Sequence, residues 1–249
     1  MRKKLIAANW KMFKTADQTR EFFRDFLPLI ASHDRDEIAV CPPFVDLPAA
    51  VEAAKGSNVA VGAQNMYWEK EGAFTGEISC GMLLAVGCTH VIIGHSERRQ
   101  HFGETDDTVN LKLKAALEAG LTPIVCVGEV LQEREAGLTD DVLRRQTLRA
   151  FHAISGKKAA KLVIAYEPVW AIGTGKTATP QMAAEAHALI RDETSKSLGK
   201  ELAEQTRILY GGSVKPDNAK ALMAEAEIDG ALVGGASLDP KSFSAIVKY

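Results

Sequence analysis

Short apolar runs alternate along the chain with longer segments whose apolar residues recur every three or four positions. The short runs are apolar almost throughout and lack the strict alternation of a half-buried strand, which is typical of parallel strands covered on both faces. They lie at Leu5–Ala8, Ile38–Cys41, Val59–Ala63, His90–Ile93, Pro123–Val127, Leu162–Tyr166, Arg207–Tyr210 and Ala231–Val233. The pattern therefore predicts eight parallel strands.

The longer segments carry the signals of helix ends. Thr15 with Gln18 three positions later has the spacing of a capping box. Thr179 is followed by Pro180, which places a proline at the first helical position, where its missing N–H costs nothing. Pro28 is expected to end or kink the first helix. These segments predict helices between the strands.

Strands that alternate with helices indicate an α/β fold. Eight such units in 249 residues have the size of a closed (β/α)₈ barrel, with eight parallel strands surrounded by helices. No linker rich in Pro, Gly or Ser interrupts the pattern, so residues 1–249 are expected to form a single barrel domain. A doubly wound open sheet has the same alternation and remains the alternative.

The overall charge excludes some classes of partner. The chain has 30 Lys and Arg against 32 Asp and Glu, a net charge of −2, which favours neither nucleic acid nor an anionic membrane as its main partner. The uncharged stretch 78–96 has the length of a membrane span. Its glycines, threonine and histidine fit a buried helix, a turn and a buried strand better.

The cysteines and the N-terminus indicate a cytoplasmic protein. Cys41, Cys80, Cys88 and Cys126 include no CxxC pair, and in a chain of this size they predict buried thiols in a reducing compartment. The N-terminal residues begin like a signal peptide, but the apolar run ends at Asn9 and is too short for one.

Polar residues follow several of the predicted strands, and functional groups of a barrel cluster at these strand ends. The candidates are Asn9 and Lys11 after the first strand, His95, Ser96 and Glu97 after the fourth, and Glu167 after the sixth. Each also has an ordinary structural interpretation: a turn asparagine, a surface lysine, a core histidine, or a carboxylate in an ion pair. For Glu97 the candidate partners of such a pair are Arg98 and Arg99.

Two of these side chains suggest acid–base chemistry. Ser96 is a candidate N-cap of a short helix, which would place His95 at a helix N-terminus, where the positive end of the dipole favours a neutral imidazole. Glu167 leaves the end of a buried strand, and burial is expected to raise the pKa of its carboxyl towards that of a useful general base.

Glycine-rich loops follow the last two strands. Gly211-Gly212-Ser213 and Gly234-Gly235 allow backbone N–H groups to approach an anion closely, and barrels often bind phosphate with these two loops. No cluster of His, Cys, Asp and Glu has the spacing of metal ligands, so no metal is expected.

The segment 168–178, PVWAIGTGKTA, contains GTGKT but is not a P-loop, because Trp170 stands where that motif needs a glycine. It is not a dinucleotide-binding fingerprint either, because other residues separate its glycines from the strand. We interpret it as a lid, a segment that moves as a body to cover a small ligand; a long packed loop is the alternative.

Six stretches resemble those of the triosephosphate isomerase family, in the same order and over essentially the whole chain. They are AANWKM (7–12), GAFTGEIS (72–79), GHSERR (94–99), AYEPVWAIGTGKTATP (165–180), YGGSVKP (210–216) and LVGGASL (232–238). The resemblance implies a cofactor-independent isomerase that interconverts dihydroxyacetone phosphate and D-glyceraldehyde 3-phosphate through an enediolate, in glycolysis and gluconeogenesis.

The resemblance also implies a role for each matching residue. Glu167 would be the base that moves the proton, and His95 a neutral electrophile that polarises the carbonyl. Lys11 would supply positive charge to the oxyanion, and Asn9 would help to fix the substrate. The phosphate would be bound by Gly173, Ser213, Gly234 and Gly235.

A homodimer is a further implication of the resemblance. Residues 65–79 look like the long loop that reaches into a neighbouring subunit, with Phe74 and Thr75 at its tip; a loop folded onto its own barrel is the alternative. Phe13 departs from the small or polar residues common in relatives, which makes the local packing beside Lys11 uncertain.

Two other functions fit part of the pattern. A different phosphosugar enzyme would share the glycine loops but gives no reason for Glu167 followed by this lid. A nucleotide-binding protein would use GTGKT, but Trp170 argues against it.

Overall fold

The computed structural model describes residues 2–172 and 178–249 and contains a closed barrel of eight parallel strands surrounded by helices. The strands are β1 (Leu5–Asn9), β2 (Glu37–Cys41), β3 (Val59–Ala63), β4 (His90–Ile93), β5 (Thr122–Val127), β6 (Val163–Tyr166), β7 (Arg207–Tyr210) and β8 (Gly230–Val233). Each pairs with its neighbour in sequence, and β1 also pairs with β8, from Leu5↔Gly230 to Ala8↔Val233. The barrel prediction is confirmed, and each predicted strand agrees within one residue at either end.

The helices lie outside the barrel. Their bounds are α1 (Ala16–Phe26), α2 (Leu47–Ala54), α3 (Cys80–Val86), α4 (Ser96–His101), α5 (Asp106–Ala119), α6 (Leu131–Glu135), α7 (Thr139–Ala150), α8 (Pro180–Leu198), α9 (Lys200–Gln205), α10 (Pro216–Met223) and α11 (Pro240–Val247). Five short 3₁₀ helices lie at Leu27–Ile30, Phe44–Asp46, Gly156–Ala159, Val169–Ala171 and Gly235–Ser237 within the described ranges.

Local sequence signals explain several helix ends. Thr15 and Gln18 form the predicted capping box of α1, and Thr179 accepts a hydrogen bond from the Met182 amide at the start of α8. Helix α1 ends before Pro28, which lies in the first 3₁₀ helix, because proline supplies no N–H to continue the α-helix.

Two apolar layers enclose the strands. One fills the barrel interior with inward-facing residues such as Ile92, Ile124 and Leu209, and the other packs between barrel and helices. Both faces of the sheet are therefore buried, which explains why the strand sequences are apolar throughout.

The prediction that the thiols are buried is confirmed: Cys41, Cys80, Cys88 and Cys126 are buried free cysteines. In the portion of the chain that the structure describes, no helix has both the length and the apolar character needed to cross a membrane. The uncharged stretch 78–96 forms α3, a turn and β4, as its sequence predicted.

Candidate active site

A cavity of about 300 Å³ opens at the carboxyl ends of the strands. Nine residues singled out in the sequence line it: Asn9, Lys11, His95, Glu167, Gly211, Gly212, Ser213, Gly234 and Gly235. The fold thus brings together residues from the ends of five strands, because parallel strands of a closed barrel all end at one rim. Gly173 lies outside the described residues.

Glu167 lies at the centre of this site. Its carboxylate is buried and accepts hydrogen bonds from the Ser96 amide at 2.9 Å and the Ser96 hydroxyl at 3.2 Å. Its Oε1 also lies 2.9 Å from His95 Nε2. The backbone is fixed by a 2.8 Å bond from the Glu167 amide to the Val127 carbonyl, which carries the β5–β6 ladder one residue beyond the strand.

The expected rise in the pKa of Glu167 is wrong for this arrangement. Burial does raise the pKa of its carboxyl, but His95, the Ser96 amide and the Cys126 thiol outweigh burial, so the pKa lies below its usual value. Donors aimed at the ionised carboxylate favour that form. Sequence patterning reveals burial at a strand end but not these three donors.

His95 is itself the N-cap of α4, and Ser96 is the first helical residue, which corrects the predicted cap. The His95 Nδ1 accepts a hydrogen bond from the Glu97 amide at 3.2 Å. Because Nδ1 is an acceptor there, the ring proton is assigned to Nε2, where it faces Glu167.

The predicted lowering of the His95 pKa is also wrong here. Burial acts in that direction, but the Glu167 carboxylate and its hydrogen bond raise the pKa above its usual value. A carboxylate at hydrogen-bond distance acts more strongly than the start of a six-residue helix. The two shifts have one physical origin, the contact between the two side chains.

Lys11 points towards the glycine loops. Its Nζ donates to Glu97 Oε1 at 2.6 Å, and a Cβ placed on Gly234 would lie 3.9 Å from that Nζ. Glu97 therefore pairs with Lys11, and neither Arg98 nor Arg99 is its partner, contrary to the structural interpretation considered for it.

The backbone of Lys11 is held in the left-handed region, at φ +54°. The Asn9 side chain accepts from the Lys11 amide at 3.1 Å, and Gln64 Nε2 donates to the Lys11 carbonyl at 2.8 Å and to the Cys41 carbonyl at 2.9 Å. Left-handed backbone is costly for a residue with a side chain, so these bonds stabilise it. Sequence reasoning missed Gln64, which carries no motif.

The phosphate candidates Ser213, Gly234 and Gly235 line the same cavity as His95 and Glu167. Gly234 and Gly235 lead into the short helix Gly235–Ser237, whose Ser237 hydroxyl donates to the Gly234 carbonyl at 2.7 Å. A Cβ on Gly235 would meet nothing within 4 Å, so this backbone faces open space. Further lining residues were not individual candidates in the sequence: Ile172, Val214, Lys215, Leu232 and Ala236.

The start of the predicted lid is anchored by Glu129, which sequence reasoning also missed. This fully buried carboxylate accepts from Tyr166 Oη at 3.1 Å, from Trp170 Nε1 at 2.8 Å and from Arg134 at 3.2 Å. The Arg134 guanidinium also lies 4.5 Å from the centre of the Trp170 ring. Residues 173–177 of the lid lie outside the described residues.

The loop 65–79 projects from the barrel. Residues 71–77 are all exposed, and Phe74 at the tip lies 4.8 Å from the Tyr67 ring. Phe13 is 54% exposed and lines a surface groove with Phe22. Across the described part of the chain, no group of three His, Cys, Asp or Glu could hold a metal ion.

Comparison with known proteins gives one consistent result. The family model described as triosephosphate isomerase matches residues 4–249. A triosephosphate isomerase of Solibacter usitatus is 59% identical over 249 residues, covering 100% of both chains. Those of Citrifermentans bemidjiense and Carboxydothermus hydrogenoformans are 54% and 55% identical, covering 100% of this chain and 99% of theirs.

Proposed function

This chain belongs to the triosephosphate isomerase family and is a ketose–aldose isomerase of glycolysis, and we propose that the cavity residues described above carry its reaction. The reaction interconverts dihydroxyacetone phosphate and D-glyceraldehyde 3-phosphate. It moves a proton between the two carbons that flank the enediolate, so the site needs a base, donors for the oxyanion and a phosphate site.

The phosphate group binds to the glycine loops in this proposal. Backbone N–H groups of Ser213, Gly234 and Gly235 bind its oxygens, together with Gly173. Lys11 Nζ lies close to Gly234, so in this proposal its charge acts on both the phosphate and the oxyanion of the reacting carbons. Asn9 fixes the substrate and also holds the Lys11 amide.

His95 and Glu167 act on the reacting carbons. The observation that supports this most directly is the 2.9 Å contact between His95 Nε2 and Glu167 Oε1 inside the cavity. His95 Nε2–H must donate to the substrate oxygen, so the carboxylate has to leave His95 when substrate binds. Glu167 then takes the proton from one carbon and returns it to the other.

This movement changes both pKa values in the useful direction. Away from His95 and the Ser96 amide, Glu167 loses donors that stabilise its charge, so burial raises its pKa and makes it a stronger base. Away from the carboxylate, His95 loses the cause that raises its pKa, and burial favours the neutral ring. The neutral electrophile expected from the resemblance then applies to the substrate complex.

Neither alternative function accounts for this geometry. Another phosphosugar enzyme would use the glycine loops but would not require a buried carboxylate paired with a histidine beside them. A nucleotide-binding protein would need a glycine where Trp170 donates to Glu129.

The test is a coupled assay of glyceraldehyde 3-phosphate turnover with Glu167→Gln, which keeps shape but removes the base. We expect kcat to fall by at least about a thousandfold while inorganic phosphate still inhibits competitively with an unchanged constant. Activity like that of the parent protein would exclude the proposed role of Glu167.

We also propose a homodimer that forms through the loop 65–79, with Phe74 and Thr75 at the contact. Large exposed apolar side chains on the loops after β1 to β4 support it: Met12 at 93%, Phe13 at 54%, Val45 at 81%, Phe74 at 40% and Phe102 at 67% exposure. These strands are neighbours in the barrel, so their loops form one contiguous face, and such a face on a folded protein marks an interface.

Two further proposals concern the domain organisation and the cellular location of the whole chain. A single domain over residues 1–249 is supported by the pairing of β1 with β8, which lie at opposite ends of the sequence. A cytoplasmic location is supported by four buried free thiols.

A further inference from the structure

Gly94, the residue before His95, is held at both of its backbone polar groups by charged side chains. Its amide donates to Glu104 Oε1 at 2.9 Å, and its carbonyl accepts from Arg99 Nε at 2.8 Å. Its φ of +74° lies in the left-handed region, which turns the chain sharply out of β4. The direction in which His95 enters the cavity therefore depends on how this peptide is held.

Arg99 uses three different N–H groups on three different segments. Besides Nε on the Gly94 carbonyl, Nη2 donates to the Cys126 carbonyl in β5 at 3.3 Å, and Nη1 donates to Asp106 at the start of α5 at 2.6 Å. The side chain is 18% exposed and lies away from the substrate cavity. It connects the loop after β4 to the neighbouring strand.

Little free space surrounds the α-carbon of Gly94. A Cβ on Gly94 would lie 3.1 Å from Arg99 Nη2, 3.2 Å from the Cys126 carbonyl and 2.8 Å from a Val109 methyl group. Position 94 therefore has no room for a side chain, and the Gly94 backbone lies close against α5, β5 and the Arg99 guanidinium.

We propose that Arg99 is a positioning residue for His95: it fixes the Gly94 peptide against β5 and thereby sets the position of the imidazole that faces the substrate. The inference rests on the proposed role of His95. This positioning role requires a guanidinium, because a lysine presents one compact charge and cannot donate to three acceptors spaced as these are. Arg99 does not touch the substrate.

The variant Arg99→Lys tests this inference, because it keeps the charge and most of the side-chain volume. A displacement of the imidazole by a fraction of an ångström weakens carbonyl polarisation, so we expect kcat to fall by about 10- to 100-fold. The KM and the inhibition constant of inorganic phosphate should stay within about twofold, because the glycine loops lie elsewhere in the cavity. The infrared carbonyl band of bound dihydroxyacetone phosphate should shift towards that of the free compound.

Arg145→Lys is the matched control. Arg145 also lies near Asp106, at 3.5 Å, but its other charged neighbour is Glu133, at 3.9 Å, and it is 55% exposed. We expect its kcat and carbonyl band to match the parent protein. An equal fall in kcat for both variants would contradict the inference, because it would assign the effect to the ion pair with Asp106.

A double-mutant cycle separates this inference from the proposed function. If Arg99 acts through His95, Arg99→Lys should have no further effect on kcat in the His95→Gln background. A full additional loss there would overturn the positioning role while leaving His95 as the electrophile. If His95→Gln alone keeps the parental kcat, the proposed function fails first.

Folding of the variant is checked independently. The melting temperature of Arg99→Lys is measured beside its kcat, and Asp106→Asn serves as a second variant that removes the carboxylate anchor of Arg99 but keeps its carbonyl contacts. We expect a smaller loss of kcat from Asp106→Asn, again with an unchanged phosphate inhibition constant. A parental kcat in a folded Arg99→Lys protein would overturn the inference.

Discussion

His95 Nε2 and Glu167 Oε1 lie 2.9 Å apart. The atoms proposed to act on the substrate, one from the candidate electrophile and one from the candidate base, therefore contact each other. The contact favours the ionised form of both side chains and displaces their pKa values in opposite directions. In the proposed reaction, substrate therefore has to separate the two side chains before either can act. This requirement makes the ionisation of the free enzyme different from that of its complex.

The first prediction concerns the pH dependence of His95→Gln. Burial raises the pKa of Glu167 and the contact with His95 lowers it, so removing His95 leaves burial less opposed and the pKa rises. The base is active when ionised, hence the acidic limb of kcat/KM against pH should move to higher pH. A limb at the parental position in this variant would contradict the coupling.

The second prediction concerns acid stability and His187, which is fully buried with a pKa lowered to about 4 mainly by burial. The unfolded chain binds this proton near pH 6.5 and the folded protein does so only near pH 4. The contribution of neutral His187 to the free energy of unfolding is therefore fully present above about pH 6.5. It is lost as pH falls towards 4, by about 3 kcal/mol in total.

The measurement is urea unfolding of the parent protein and His187→Gln between pH 7 and pH 4. The variant has no titratable side chain at position 187, so its free energy of unfolding should fall less steeply as the pH is lowered. Identical slopes would show that His187 does not carry this dependence.

The third prediction concerns Trp170, whose indole donates to Glu129 at the start of the predicted lid. If the segment 168–178 shields the enediolate phosphate from water, Trp170→Phe should increase loss of phosphate from that intermediate. Inorganic phosphate released per turnover is the measurement. Trp68→Phe is the control, because Trp68 packs on Tyr67 outside the site; equal product partitioning in all three proteins would count against the shielding.

The fourth prediction concerns Gly211, which follows β7. A Cβ there would lie 2.9 Å from Glu167 Cγ and 3.1 Å from the Tyr166 carbonyl. Gly211→Ala should displace the base and lower kcat by about 10- to 100-fold, since misplacement by about 1 Å has this effect. Gly81→Ala is the control, because its Cβ meets only Ser79 Oγ at 3.8 Å, and its kcat should match the parent.

The fifth prediction concerns the proposed dimer. Phe74→Asp places a charge on the exposed tip of the loop 65–79, and burying an unpaired charge disfavours association. Sedimentation should show monomers at concentrations where the parent protein is dimeric. Leu148→Asp, on α7 at 43% exposure compared with 40% for Phe74, should leave the dimer intact. A parent protein that is monomeric at all concentrations would exclude the dimer.

The sequence by itself determined the secondary-structure elements and the strand ends at which the candidate functional residues would lie. Apolar runs and helix caps are local signals, since a capping box such as Thr15 with Gln18 involves residues three positions apart. For that reason the eight strands were predicted within a residue at either end. The glycine pairs and the polar residues at strand ends then identified most of the cavity lining.

Only the tertiary structure decided between barrel and open sheet, because that choice depends on whether β1 pairs with β8. It also decided the partner of Lys11, which is Glu97, 86 positions away, and the roles of Gln64 and Glu129, which carry no motif. The tertiary structure also decided the direction of the pKa shifts at His95 and Glu167. Burial can be inferred from a pattern along the chain, but an ionisation equilibrium depends on which donors and charges the fold brings within hydrogen-bond distance.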